Sequence, residues 1–177
     1  TLGWRDTYYT RSLDPTLGIV DSGINRQYVT MTAQVIGPSF VKVWDTPKSG
    51  YAERFKHTIE PYLNAARTSA ISNFAQIVQV DGTDTIVGGT TNLSYGVSNR
   101  LYAKRNGNVE EILTWQVWQR RFFDPTFGGA VVPGQRNVFA STIGLTGYAF
   151  FNGPRNYSPI VSALRLKPLP STAVEWR

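Results

Sequence analysis

Residues 108–125 read NVEEILTWQVWQRRFFDP, and the fold turns on whether this stretch is a helix or a strand. As a helix it is poor: Thr114, Val117 and the aromatic side chains lose rotamer freedom there, and no N-cap precedes the run. As a strand it alternates, with Leu113, Trp115 and Val117 on one side and Thr114, Gln116, Trp118 and Arg120 on the other. The strand reading leaves one question, which is what covers the Leu113-Trp115-Val117 side.

The same period of two recurs along the chain, and no segment reads convincingly as a helix. In NLSYGVSNRLYAK, Leu93, Tyr95, Val97, Leu101 and Ala103 point one way, and Ser94, Ser98, Arg100, Tyr102 and Lys104 the other. Met31, Ala33 and Val35 alternate with Thr30, Thr32 and Gln34; Phe55, Ile59 and Leu63 alternate with Lys56, Glu60 and Asn64. In VFASTIGLTGYAFF, Phe139, Ile143, Leu145, Ala149 and Phe151 alternate with small or polar residues. The pattern predicts about eight strands. They cover 2–11, 25–44 with a break near Gly37-Pro38, 53–66, 91–104, 110–123, 137–151, 157–167, and a truncated one from 172.

The connections carry as much information as the strands. RNGN joins the fourth and fifth strands as an Asn-Gly hairpin, and NGPRN joins the sixth and seventh. Long irregular segments follow the first, third and fifth strands: DPTLGIVDSGI, TSAISNFAQIVQVDGTDTIVGGTT and DPTFGGAVVPGQR. In an up-and-down sheet this alternation puts every long loop at one end and every tight turn at the other, as in outer-membrane barrels. Several strands also exceed the roughly 9–11 residues a tilted strand needs to cross a bilayer, whereas strands of soluble sheets run to about 5–6. Tyr8-Tyr9, Phe122-Phe123 and Phe150-Phe151 fall near strand ends, where aromatic girdles sit. On this reading Leu93, Tyr95, Val97, Leu113, Trp115, Val117, Ile143 and Leu145 face lipid. SLDPTLG and FFDPTFG share one turn chemistry, Asp first, Pro second and Gly soon after, so two loops start alike.

Composition agrees. Charged residues make up 17% of the 177, below the roughly 25% of soluble domains, and aromatics reach 13%. No run of apolar residues is long enough for a transmembrane helix. Cys 0 excludes disulfides and thiolate metal sites within this sequence. The formal charge of +6 points to an anionic partner, such as phosphate on lipid or nucleic acid, or, equally, to a solvated surface. The opening TLGWRDTYY and the closing AVEWR both read as cuts through a longer protein, so residues 1–177 are expected to be part of one domain.

Three stretches, RFKHTIEPYL, VDGTDTIVGGTTNLSYGVSNRLYAKR and ILTWQVWQRRFFDP, resemble in the same order the strands of the LptD family of LPS-assembly proteins, also called organic solvent tolerance proteins. The likeness runs over nearly the whole chain, as a middle portion of that family's C-terminal barrel. It implies an incomplete wall of a transmembrane β-barrel in the outer membrane of a Gram-negative bacterium. Such a barrel places lipopolysaccharide in the outer leaflet. Implied partners are lipopolysaccharide, outer-membrane lipid, a plug lipoprotein and periplasmic bridge proteins. The family's jellyroll, gate strands and cysteines are not in this sequence.

Transport of this kind needs no catalytic centre, only a polar interior for phosphorylated sugars. Arg100, Lys104, Gln116 and Arg120 are the candidates for that contact; the plainer reading pairs the cations with Glu60 or Glu110 and makes them part of the wall. His57, the one histidine, falls on the apolar side among Phe55, Ile59 and Leu63 and suits a structural place. Glu60-Pro61 marks a bulge or bend. Asp81 and Asp84 read as a turn rather than a cation site, lacking EF-hand spacing. Glu110 and Glu111 point to opposite sides and make no acid/base pair. No phosphate-cradling or nucleophile motif occurs. Neither an enzyme, a metal, a cofactor nor a nucleic-acid partner is expected. The competing functions are a passive porin-like barrel, marked by an inward-folded loop with paired carboxylates and arginines, and a soluble all-β module binding an anionic polymer.

Overall fold

A computed structural model of the chain describes residues 1–84, 86–126 and 153–177. Its strands are β1 (Leu2–Tyr9), β2 (Ser12–Asp14), β3 (Gly18–Val20), β4 (Ile24–Ile36), β5 (Phe40–Asp45), β6 (Arg54–Thr68), β7 (Thr90–Arg105), β8 (Asn108–Phe122), β9 (Val161–Leu169) and β10 (Thr172–Trp176). Eight of them form one sheet in the order β1-β4-β6-β7-β8-β9-β10, with β5 also paired to β6, and β2-β3 form a separate hairpin. The protein is all-β and antiparallel, and each long strand lies beside its neighbour in sequence. Among the described residues this order ends on β1 at one side and on β10 at the other. Strands β6, β7 and β8 run 15, 16 and 15 residues, roughly 50 Å each at about 3.3 Å per residue. Among the described residues no helix is long and apolar enough to cross a membrane.

Local chemistry explains the breaks. Asn106 and Gly107 both adopt positive φ, at 50° and 82°, which the two-residue turn between β7 and β8 requires and which Asn-Gly supplies at little cost. Between β4 and β5 the ladder stops at Gly37-Pro38, where proline has no N–H to donate, yet Gly37 N–H still reaches Pro61 O at 2.9 Å.

Two differences from the sequence reading concern the last third. The strand expected over 157–167 begins at Val161, behind Pro159, and runs to Leu169. It pairs directly with β8, Leu113 opposite Leu166 and Trp118 opposite Val161, so no strand intervenes between them and NGPRN is not followed at once by a strand. The strand expected over 137–151, with Ile143, Leu145 and Phe150-Phe151, lies outside the described residues. Among the connections between described strands, 10–23 and 69–89 are long, while 37–39, 46–53, 106–107 and 170–171 are short.

The chain divides into two compact units. Unit 1 is Thr1–Ala33, Ala65–Leu93 and Arg121–Pro159; unit 2 is Gln34–Asn64, Ser94–Arg120 and Ile160–Arg177. In unit 1 the loop 69–89 is docked by Ile77, which is buried and bridges to Ser12, and by Ser69 N–H on Val29 O at 2.9 Å. In unit 2 a small apolar cluster joins Ala52, Ala103 and Ile112 with Phe55 and Leu101.

Candidate functional site

In unit 2 the two sides of the sheet have opposite chemistry. Cross-strand pairing places Leu113, Leu166 and Val174 in one row and Trp115, Leu164 and Trp176 in the next. Trp115, Leu166, Val174 and Trp176 are all solvent-exposed, Trp115 by 44% and Trp176 by 63%. Val117 lies opposite Ser162 on this side, and the Trp115 indole N–H donates to Ser162 Oγ at 3.0 Å. Tyr95 is also here, its hydroxyl donating to Gln119 Oε1 at 2.6 Å. Phe40 and Trp44 of β5 sit opposite Ile59 and Phe55, with His57 between them. Val97 and, in unit 1, Leu93 are half-buried at the same alternation in β7.

The other side carries Thr114 opposite Arg165 and Gln116 opposite Ala163, with Arg165 paired in turn to Glu175. Arg120 Nε donates to Ser94 Oγ at 2.8 Å. Arg100 bonds Tyr102 and lies within electrostatic reach of Glu111 and Glu60, and Lys104 lies within reach of Asp45. Arg100 and Gln116 line one open cavity of about 430 Å³ together with Glu111, Thr114, Arg165, Glu175 and Arg177. The polar candidates therefore share a side, but they form three separate environments rather than one site. Arg105, not Arg100, takes Glu110 as its ion-pair partner.

One contact in β8 departs from simple alternation. The Thr114 hydroxyl bonds the Glu111 carboxylate, although side chains three apart in a regular strand face opposite ways. Ile112 is buried in the cluster with Ala103, and Leu113 lies opposite Leu166.

Away from the Ala52-Ala103-Ile112 cluster, burial in unit 2 runs against the usual partition. Thr58, Ser94 and Ser98 are each 6% exposed, while Leu63, Trp115 and Trp176 are open. A water-soluble half-buried sheet hides its apolar side and wets its polar one. Gly96 is part of the close approach on the polar side: a Cβ there would meet Val117 O at 2.4 Å, Trp118 Cβ at 2.7 Å and Tyr62 Oη at 2.9 Å.

In unit 1 the apolar alternation continues in β1 and β4, where exposed Leu2 and Trp4 lie opposite Met31 and Val29. The other side holds Arg26, only 1% exposed. Its Nη1 donates to Thr83 O at 3.0 Å and its Nη2 to Ile86 O at 2.6 Å, and its guanidinium lies 5.0 Å from the Tyr28 ring centroid. Asp84, also buried, accepts the Tyr9 hydroxyl at 2.5 Å and the amides of Val80 and Asp81 at 2.8 and 3.0 Å. Burial alone would raise the Asp84 carboxyl, but the Tyr9 hydroxyl, the two amides and the Arg26 charge outweigh it and hold the group below the ordinary aspartate range.

Sequence reasoning found neither Arg26 nor the third member of a turn family. Asp14 Oδ1 accepts from Thr16 N and Oγ1, Asp124 Oδ1 from Thr126 N and Oγ1, and Asp81 Oδ1 from Thr83 N and Oγ1. The shared unit is Asp-X-Thr, and Gly82 in place of proline hid the match. The pair expected to form one turn divides: Asp81 caps it, whereas Asp84 is buried. Among the described residues no group of three metal-ligating side chains comes together. No protein-family model, curated protein or solved structure matches this chain.

Proposed function

We propose that this chain is a wall segment of an outer-membrane β-barrel, and that the barrel assembles lipopolysaccharide into the outer leaflet. The observation that carries the reading is the inverted partition of unit 2, with buried Thr58, Ser94 and Ser98 on one side and exposed Leu166, Trp115 and Trp176 on the other. Exposed apolar patches of this extent mark a membrane or partner surface, and alternating apolar and polar strand sides are the barrel signature. Lipopolysaccharide suits both sides: acyl chains match the apolar one, while Arg100, Gln116 and Arg165 around the polar cavity offer donors to phosphorylated sugars. The LptD-like motifs add the plug lipoprotein, the periplasmic bridge proteins and the Gram-negative outer membrane as proposed partners and place.

The test is Arg100→Gln with Gln116→Ala in the full protein, followed by surface lipopolysaccharide in cells that depend on it. The expected result is a heat-modifiable, correctly inserted barrel with delivery reduced several-fold. Unchanged delivery by an intact barrel would overturn the transport role. A second reading, a passive solute channel, is favoured by one observation, namely that Arg26 and Tyr9 hold Thr83, Asp84 and Ile86 against the polar side of unit 1. Steady ion conductance of the purified protein in planar bilayers, without effect on lipopolysaccharide, is its mark.

A further inference from the structure

We propose that Lys42 and His57 form a binding site for the headgroup phosphate of an anionic phospholipid, on the apolar side of unit 2 beside its short 46–53 turn. The two residues are directly opposite in the β5-β6 pair, and facing Cβ atoms of such a pair are about 4.5–5.5 Å apart. Alternation would make this side apolar throughout: Phe40 and Trp44 flank Lys42 along β5, and Ile59 and Phe55 flank His57 along β6. Lys42 is exposed and His57 half-buried. Among the described residues neither side chain takes part in a hydrogen bond or an ion pair.

Other basic side chains of β6 and β7 have partners. Arg54 pairs with Asp45, Lys56 lies 5.8 Å from the Tyr102 ring centroid, and Arg105 bonds Pro168 O and Glu110. Lys42 has none of these. A lysine on an apolar side lays its stem along the neighbouring surface and carries its ammonium to the water boundary. The depth agrees, since Lys42 is three residues from the end of β5 at Asp45, roughly 10 Å of strand. Trp44 and Tyr51 both stack on Phe55 there, with ring centroids 5.6 and 6.2 Å away, and such rings gather at the membrane–water boundary. A phosphate at this place neutralises the ammonium and accepts the imidazole N–H, which histidine offers in either protonation state. Acyl chains joined to that phosphate also cover Phe40 and Trp44, 59% and 36% exposed, which a free anion does not. Short turns of outer-membrane barrels lie on the periplasmic face, the leaflet opposite to lipopolysaccharide. The site rests on the membrane-wall reading above.

The experiment is native mass spectrometry of the full protein in a neutral detergent, titrated with phosphatidylglycerol and, separately, with phosphatidylcholine of the same chains. The expected result is one phosphatidylglycerol retained in preference to phosphatidylcholine. Lys42→Gln should weaken that retention about fivefold, the factor that one basic group near an anionic surface supplies. Lys42→Arg should keep it, His57→Phe should weaken it less, and Lys56→Gln, on the polar side, should leave it unchanged. Phosphatidylglycerol held equally by wild type and Lys42→Gln would overturn the site. So would its displacement by inorganic phosphate at the same concentration, which marks a free-anion site. Folding into phosphatidylcholine vesicles then separates this proposal from the reading it rests on. Insertion of both wild type and Lys42→Gln, with no preference for phosphatidylglycerol, leaves the wall reading intact and overturns the site. A protein that stays in water and ignores vesicles of either lipid overturns both.

Discussion

Arg26 in unit 1 and Arg165 in unit 2 are both strand arginines on polar sides, and the chain treats them differently. Arg26 is 1% exposed and bonded to two backbone carbonyls. Arg165 is paired with Glu175 at 3.3 Å, and the two side chains are 58% and 59% exposed. The first charge is part of the architecture, because an uncompensated ion in a dry site is expensive. The second is in water, so its partner is dispensable and its donors are available to a ligand. A cation count of the sequence does not separate these two kinds of arginine; their surroundings do.

The sharpest break of that comparison is Arg26→Met. Thr83 O and Ile86 O lose their donor, and Asp84 is left as a buried carboxylate without its neighbouring cation. Removing one side of a buried charged set costs about 3–5 kcal/mol. Chemical denaturation of the full protein in detergent should show that loss, and a change below about 1 kcal/mol would mean that Arg26 is no more structural than Arg165.

The next largest effect separates the two sides of β8. Trp115→Arg puts a charge among Leu113, Leu164 and Trp176, which costs about 2–4 kcal/mol at the midplane of a bilayer. Gln116→Arg, one residue along and facing the polar cavity, should be nearly neutral. Folding yields into vesicles give the comparison directly, and equal yields would remove the basis for assigning sides. Gly96→Val follows, since its Cβ would need Val117 O and Trp118 Cβ to move. Overpacking of this kind costs about 1–3 kcal/mol.

Much of this was legible in the sequence because strands announce themselves by a period of two. Leu93-Tyr95-Val97 and Leu113-Trp115-Val117 stand out for that reason, and Asn106-Gly107 fixes the hairpin that aligns them. The break at Gly37-Pro38 was legible because proline lacks a donor. The direct pairing of β8 with β9 was not, since register between strands far apart in the sequence depends on contacts that no local pattern encodes. Arg26 was not legible either: its acceptors are carbonyls 57 and 60 residues away, and a carbonyl has no letter in the sequence. The β2-β3 hairpin escaped because two strands of 3 residues are too short to show alternation.

Acid should reach unit 1 by way of Asp84. Its folded carboxyl lies below the ordinary value, which is about 3.9. It therefore stabilises the folded state fully at pH above that ordinary value, and the contribution is lost as pH falls through the lower folded one. The charged and titratable neighbours are Tyr9, Arg26 and Asp81, of which Asp81 is also held low by the Thr83 hydroxyl and amide. Hydrogen exchange of the Val80 and Asp81 amides should be flat from neutral pH down to about 4, after correction for intrinsic rates, and should accelerate below it. Asp84→Asn should flatten that acid limb. Acceleration beginning near pH 6 would assign the protection to some other group.

The smallest effect is the most informative about function. Arg165→Gln removes one partner of an exposed ion pair, and such pairs contribute about 0–1 kcal/mol. Stability should therefore hardly change. Because Arg165 lines the same cavity as Arg100 and Gln116, binding of a phosphorylated sugar should weaken while folding does not. A titration with inorganic phosphate or a sugar phosphate, read by Trp115 and Trp176 fluorescence, measures this. If Arg165→Gln binds as wild type does, while Arg100→Gln binds less, the anion sits on the β7 side of the cavity. If both bind as wild type, the exposed cations of unit 2 are only a solvated surface, and the contrast with Arg26 reduces to burial alone.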